Sequence, residues 1–239
     1  MDFPALTVME TNLTSVFISD INSNESCILS LAKLKLNSCT FSNLYAKQGG
    51  AICTYNSLEV TNCYFTNCNA ANHGGIVRAS ISGGKKFMIN LSTAYKDTAK
   101  YCGAISMIGS SHSRLVEDNF TQVSATDCVG VGDFCCEILD VSTTAFINTS
   151  ARVHHGCLCG NIVERGTEIN MCSFVRSKHR SFGVPTAAAF AFSAIRTFCI
   201  VHQCNFIHCD RSGTGTLSNN GDMAIPLMEC CFTGKKEEE

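Results

Sequence analysis

Seventeen of the 239 residues are cysteine, the side chain here with the most chemistry to offer. The number is odd, so at least one thiol has no partner within the chain. No CxxC pair occurs and no Cys/His set has zinc-finger spacing, so the sequence predicts no metal site and no cofactor. Cys204 lies between His202 and His208, an arrangement that could activate a thiol. Buried neighbours of that kind pack more often than they react. Carboxylates are the next candidates, since glycosidic cleavage needs two of them facing one bond, and calcium needs several. Measured against the repeat described below, Asp20, Asp97, Asp127, Asp133, Asp140 and Asp222 fall at scattered offsets, and no catalytic residue is assigned. Asp118 occupies a place where other repeats carry cysteine, and is read as a hydrogen-bonded substitution. The remaining chemistry is basic. Arg152, His154, His155, Arg176, Lys178, His179, Arg180, His208 and Arg211 crowd into three loops against one acid, Asp210. Such a patch suits an anionic ligand such as a sulfated or sialylated glycan, with Arg152, His154, His155, Lys178, His179, Arg180 and Arg211 as its contacts. A solvated loop edge without a ligand is the plainer alternative.

These residues are positioned by a repeat. The pattern apolar-x-x-Cys-x-Phe recurs at Leu36/Cys39/Phe41, Val60/Cys63/Phe65, Ile169/Cys172/Phe174, Val201/Cys204/Phe206 and Leu227/Cys230/Phe232. Leu115/Asp118/Phe120 and Val141/Thr144/Phe146 keep the frame without the cysteine. After each anchor come a polar loop, one or two glycines and a short apolar run, as in Gly50-Ala51-Ile52-Cys53 and Gly75-Ile76-Val77. Runs this short, rich in β-branched and aromatic types and bounded by Gly, Asn and Ser, read as strands. Ala187 to Ala194 fills the same slot and is read as a strand despite its alanines. Two inward residues three apart cannot share one straight strand, so Asn37-Ser38 and Thr61-Asn62 must bend. Three short strands per turn, at a period of roughly 25 residues, describe an all-β, right-handed, single-stranded parallel β-helix, a pectin-lyase-like solenoid of about nine coils. A leucine-rich repeat has an overlapping period, but its L-x-x-L-x-L signature is rarely supplied.

One β-helix domain is expected over residues 1–234, followed by a charged, disordered tail at 235–239. Its core is expected to be a ladder of Cys39, Phe41, Cys63, Phe65, Cys172, Phe174, Cys204, Phe206, Cys230 and Phe232. Cysteine in such a ladder acts as a small hydrophobe, although turn spacing would also permit disulfides in an oxidising compartment.

At Gly49-Gly50-Ala51-Ile52, preceded by Phe41-Ser42-Asn43, the chain resembles the GGAI/FxxN repeats of the polymorphic outer membrane proteins. It also resembles the cysteine-rich β-helix surface proteins of parasitic protists. The resemblance implies a cell-surface or secreted, non-enzymatic, adhesin-like interaction module, with glycans or surface proteins as partners. A polysaccharide-binding or polysaccharide-cleaving β-helix is the alternative. The sequence itself shows no leader, no anchor and no run long enough to span a bilayer, which keeps a cytoplasmic location open. A net charge of −2 argues against a general nucleic-acid binder. The chain stops soon after Phe232, which suggests a fragment of a larger protein or end-to-end self-association through an uncapped coil. Five sequons, at Asn12, Asn24, Asn90, Asn119 and Asn148, are close to what chance gives.

Overall fold

Leu36 and Cys39 are both buried although they stand three apart. The conflict is resolved at Ser38, whose φ of 54° puts one left-handed residue between two strands and turns the chain by a corner. The same corner recurs at Ser15, Asn62, Leu91, Glu117, Thr143, Met171, Gln203 and Glu229. A second left-handed corner follows five residues after each of the first eight, at Asp20, Asn43, Asn67, Lys96, Gln122, Asn148, Arg176 and His208. Asparagine tolerates this conformation, but Leu91, Met171 and Thr143 do so only at about 1 kcal/mol each. The surrounding lattice holds them there.

The computed structural model describes residues 6–9, 11–82, 84–179, 187–194, 198–209, 216–219 and 225–234. It is an all-β parallel β-helix of about eight turns, close to the expected nine. Among the described residues there is no helix, and so none long and apolar enough to cross a membrane. A turn is built from four strand segments, which stay separate in some turns and merge in others to give the three strands expected. In one turn these are Ile52–Thr54, Leu58–Thr61 and a long Tyr64–His73 that bends at Asn67. In a later turn the long strand has separated into Thr93–Tyr95 and Thr98–Ala99. The fourth strand exists because of the second corner, whose asparagines were visible in the sequence without their meaning. The first two strands of every turn build a 16-stranded sheet and the last two a 14-stranded sheet, each strand paired in parallel with its equivalent one turn on.

Between the sheets lies the core. Phe41 stacks on Phe65 at 4.9 Å between ring centroids, and Phe120, Phe146, Phe174 and Phe206 continue the column at 5.5, 4.9 and 5.0 Å. Ala94 interrupts it between Phe65 and Phe120. Phe232 stacks on Phe206 at 4.7 Å but keeps its other face exposed. Beyond the second corner the inward column shrinks to Ala46, Ala70, Ala99, Ala125 and Ala151, all buried.

The return from the second sheet to the first is made by glycine. A Cβ on Gly50, Gly75, Gly103 or Gly130 would lie within 2.2 Å of the carbonyl oxygen of the next glycine in that column. The first glycine of each Gly-Gly pair does something else. Gly49 and Gly74 are extra residues at φ 56° and 64°, and later turns omit them.

Candidate functional site

The inward residue after the first corner runs Cys39, Cys63, Ser92, Asp118, Thr144, Cys172, Cys204 and Cys230. This column is polar. At a corner the backbone N–H has left the strand ladder, and the side chain one turn on accepts it. Cys39 N–H donates to Cys63 Sγ at 3.4 Å, Cys63 N–H to Ser92 Oγ at 3.1 Å, and Ser92 N–H to Asp118 Oδ1 at 2.8 Å. Asp118 N–H reaches Thr144 Oγ1 at 3.4 Å, and Cys172 N–H reaches Cys204 Sγ at 3.4 Å. Thiols and hydroxyls in the column also donate to the carbonyl two residues before them, as Cys63 does to Thr61 and Ser92 to Asn90. Cys39, Cys63, Cys172 and Cys204 are buried in the hydrophobic core as expected, and the slot uses the sulfurs of Cys63 and Cys204 as acceptors in addition. Ser92→Ala leaves the buried Cys63 N–H unsatisfied and should destabilise by about 1–3 kcal/mol in urea unfolding, whereas Ser92→Cys should retain most of the stability.

All seventeen cysteines are free thiols in the structure. Burial pushes Cys63 up to about 11, and the contact with Cys204, together with burial, drives Cys172 far above the usual thiol range. Thiols held protonated are poor nucleophiles, although the same contact shifts Cys204 downward. His202 directs Nε2 toward Glu229 at 3.6 Å, while the Cys204 thiol donates to the His202 carbonyl. The geometry gives Cys204 no imidazole base from His202.

A second buried column follows the second corner: Leu44, Cys68, Asp97, Val123, Thr149 and Ser177. Asp97, whose offset looked arbitrary in the sequence, occupies the Cys68 slot one turn on. Its Oδ1 accepts the Cys68 N–H at 2.7 Å, and its buried Oδ2 has no hydrogen-bond partner among the described residues. Burial pushes Asp97 up to about 8 and Asp118 up to about 7, against backbone N–H groups that pull both down. Both folded values lie above the unfolded 3.8, so between about pH 4 and 8 the native state binds more protons than the unfolded chain. Stability is then fully present at low pH and is lost as pH rises through the folded values, at up to about 1.4 kcal/mol per pH unit for each carboxyl. The urea midpoint should fall between about pH 5 and 8, and Asp97→Asn should flatten that decline; a midpoint rising over the range would contradict the assignment.

Outward, the helix has two unlike faces. Over six successive turns the second strand carries charge, as Lys35, Glu59, Lys86, Arg114, Asp140 and Glu168. Glu59 meets Lys33 at 2.6 Å and Lys35 at 2.8 Å, and Asp140 meets His112 Nε2 at 2.6 Å. Arg114 and Glu168 are in register with Asp140 on either side. On the 14-stranded sheet, three outward columns carry no charge over five turns. Its three outward columns there read Phe17-Thr40-Tyr64-Thr93-Asn119, Ser19-Ser42-Thr66-Tyr95-Thr121 and Asn22-Tyr45-Asn69-Thr98-Ser124. Charges stand at its corners, as Asp20 and as Lys96, whose ammonium sits 5.0 Å from the Tyr95 ring centroid, and beyond the third column, as Lys47 and Lys100. At the corner between the second and third columns runs a ladder of side-chain amides, with Asn67 Nδ2 donating to Asn43 at 3.1 Å and Asn43 Nδ2 to Asp20 at 3.0 Å.

Of the predicted basic contacts, Arg152 and Lys178 are exposed and His154 is half-buried. Lys178 pairs in register with Ser150, which places it one turn from the Arg152 loop. His155 is buried and its Nδ1 accepts the Ala187 N–H at 3.3 Å. The backbone of His179 pairs with Ala151, and Arg180 and Arg211 lie outside the described residues, as does the 235–239 tail. Among the described residues no group of three or more His, Cys, Asp or Glu side chains is placed to hold a metal ion. Searches against protein families and against curated proteins return no match for this chain.

Proposed function

We propose that this chain is a non-enzymatic interaction module, a rigid β-helix that displays its outer faces and loops to partners at a cell surface or in a secreted setting. The observation carrying this reading is how its acids are used. Asp97 and Asp118 are enclosed as acceptors for corner N–H groups, and Glu59 and Asp140 are each tied to a base at 2.8 Å or less. Carboxylates engaged in this way support the lattice and leave little for acid–base work on a bound substrate. Fixed register is what such a scaffold offers a ligand, since each turn holds its neighbours' loops in place. If the basic loops recognise an anion, the exposed Arg152 and Lys178 with His154 are the side chains able to do it. Retention on heparin resin at low salt, lost in Arg152→Ala/Lys178→Ala, tests that part.

One observation favours a polysaccharide-cleaving reading. Asp140 and Glu168 occupy one outward column on adjacent turns, flanked by Arg114. Strand spacing sets them about 4.8 Å apart at the backbone. Retaining glycosidases hold their two carboxyl groups roughly 5 Å apart. The purified protein should release no new reducing ends from pectin, polygalacturonate or β-glucans. Release that disappears in both Asp140→Asn and Glu168→Gln would establish the enzyme instead.

A further inference from the structure

The outer face of the 14-stranded sheet has a composition that selects its ligand. Phe17, Tyr45 and Tyr64 stand out from it, 67, 48 and 42% exposed. Around them are hydroxyls and amides such as Thr40, Thr66 and Asn69, and the three columns carry no charge over the first five turns. Phe17 and Tyr64 share a column two turns apart, about 10 Å along the axis at the usual strand spacing. Tyr45 lies on the intervening turn, in the column beyond the corner, so the rings alternate from side to side up the face. Beside Tyr45 is a surface depression of about 330 Å³, lined by Ser23, Asn24, Tyr45, Lys47 and Ala71, in which Lys47 is the one charged residue.

Resting on the interaction-module reading, we infer that this face binds an uncharged polysaccharide along the helix axis, with Tyr45, Tyr64 and Phe17 as stacking platforms. A pyranose ring offers an apolar C–H face to an aromatic ring and a rim of hydroxyls to Thr and Asn. It requires no ion pair and brings no charge to be desolvated. A sulfated or uronic-acid polymer would find no cation in the three columns themselves, with only Lys96 at the corner between them and Lys47 beside Tyr45. A repeating chain matches a surface that itself repeats every turn, and several weak contacts in register add up where a single one would not hold.

Affinity electrophoresis through gels containing laminarin, xyloglucan or mannan, with pull-down on microcrystalline cellulose and chitin, tests the assignment. At least one of these should retain the wild-type chain, and high salt should not release it. Tyr45→Ala and Tyr64→Ala remove exposed rings and should keep the wild-type urea midpoint while weakening retention by about tenfold or more each. Tyr55→Ala, which removes a ring of similar exposure from the bend after Ile52–Thr54 of the other sheet, should leave retention unchanged. Failure of every neutral polymer to retain the protein would overturn the proposal, as would Tyr45→Ala and Tyr64→Ala variants that bind like wild type. If the chain ignores all of them yet is held by heparin, this face is wrong and the interaction-module reading survives. Release of reducing ends would overturn the module reading instead.

Discussion

Alanine at Gly130 should remove at least about 3 kcal/mol of stability, more than most single methyl additions to a protein core. The added Cβ would lie 1.9 Å from the Gly156 carbonyl oxygen and 2.8 Å from its carbon. No rotamer relieves this clash, because the obstructing group is backbone on the next turn. That backbone is itself pinned, since the Gly130 N–H donates to His155 and the Gly156 N–H to Ala187. Opening the gap would stretch the ladder on both sheets. Gly234→Ala is the control, since a Cβ there meets nothing within 4 Å, and it should shift the urea midpoint negligibly. If Gly130→Ala unfolds at the wild-type midpoint, the column is not as tight as the geometry states.

Phe174→Ala should be the most damaging change within the aromatic column. Its ring is fully buried between Phe146 at 4.9 Å and Phe206 at 5.0 Å, so truncation opens a cavity and removes two stacking contacts. Losses for buried Phe→Ala run about 3–5 kcal/mol, a large part of the 5–15 kcal/mol that typically holds a domain together. In a solenoid each turn contacts only its neighbours, so the damage should be local. Hydrogen exchange should accelerate in Ser173–Val175 and Asn205–Ile207 and remain slow in Leu34–Asn37 and Leu58–Thr61. Uniform loss of protection would instead mean that the helix unfolds as one unit.

The winding was legible in the sequence because the phenylalanine spacing and the glycine pairs are one-dimensional shadows of a stacked lattice. Phe41 and Phe65 sit at corresponding places in their repeats and stack in the core. The split between the two glycines of a pair was not legible. Gly49 and Gly50 look alike in sequence, yet one is needed for its φ and the other for a close carbonyl. The polarity of the Cys39 column was obscured by cysteine itself, which packs as a hydrophobe and also accepts hydrogen bonds. Ser92, Asp118 and Thr144 in the same column were the signal, since their shared property is an acceptor atom. The aromatic face was hidden for a simpler reason. Its residues are spread over five turns, and only the register brings Phe17, Tyr45 and Tyr64 onto one surface.

The five-residue interval between the two corners has a consequence for how this molecule can change. From Leu36 to Ala46, Val60 to Ala70, Ile89 to Ala99, Leu115 to Ala125 and Val141 to Ala151, every turn uses the same count, while whole turns differ in length. Insertions and deletions must therefore collect in the loops outside that cassette, such as the stretch between Ser80 and Lys86. One flank can drift, acquire new sequence and lose it again, while the opposite flank keeps constant dimensions, as a ruler does whatever is attached to its back.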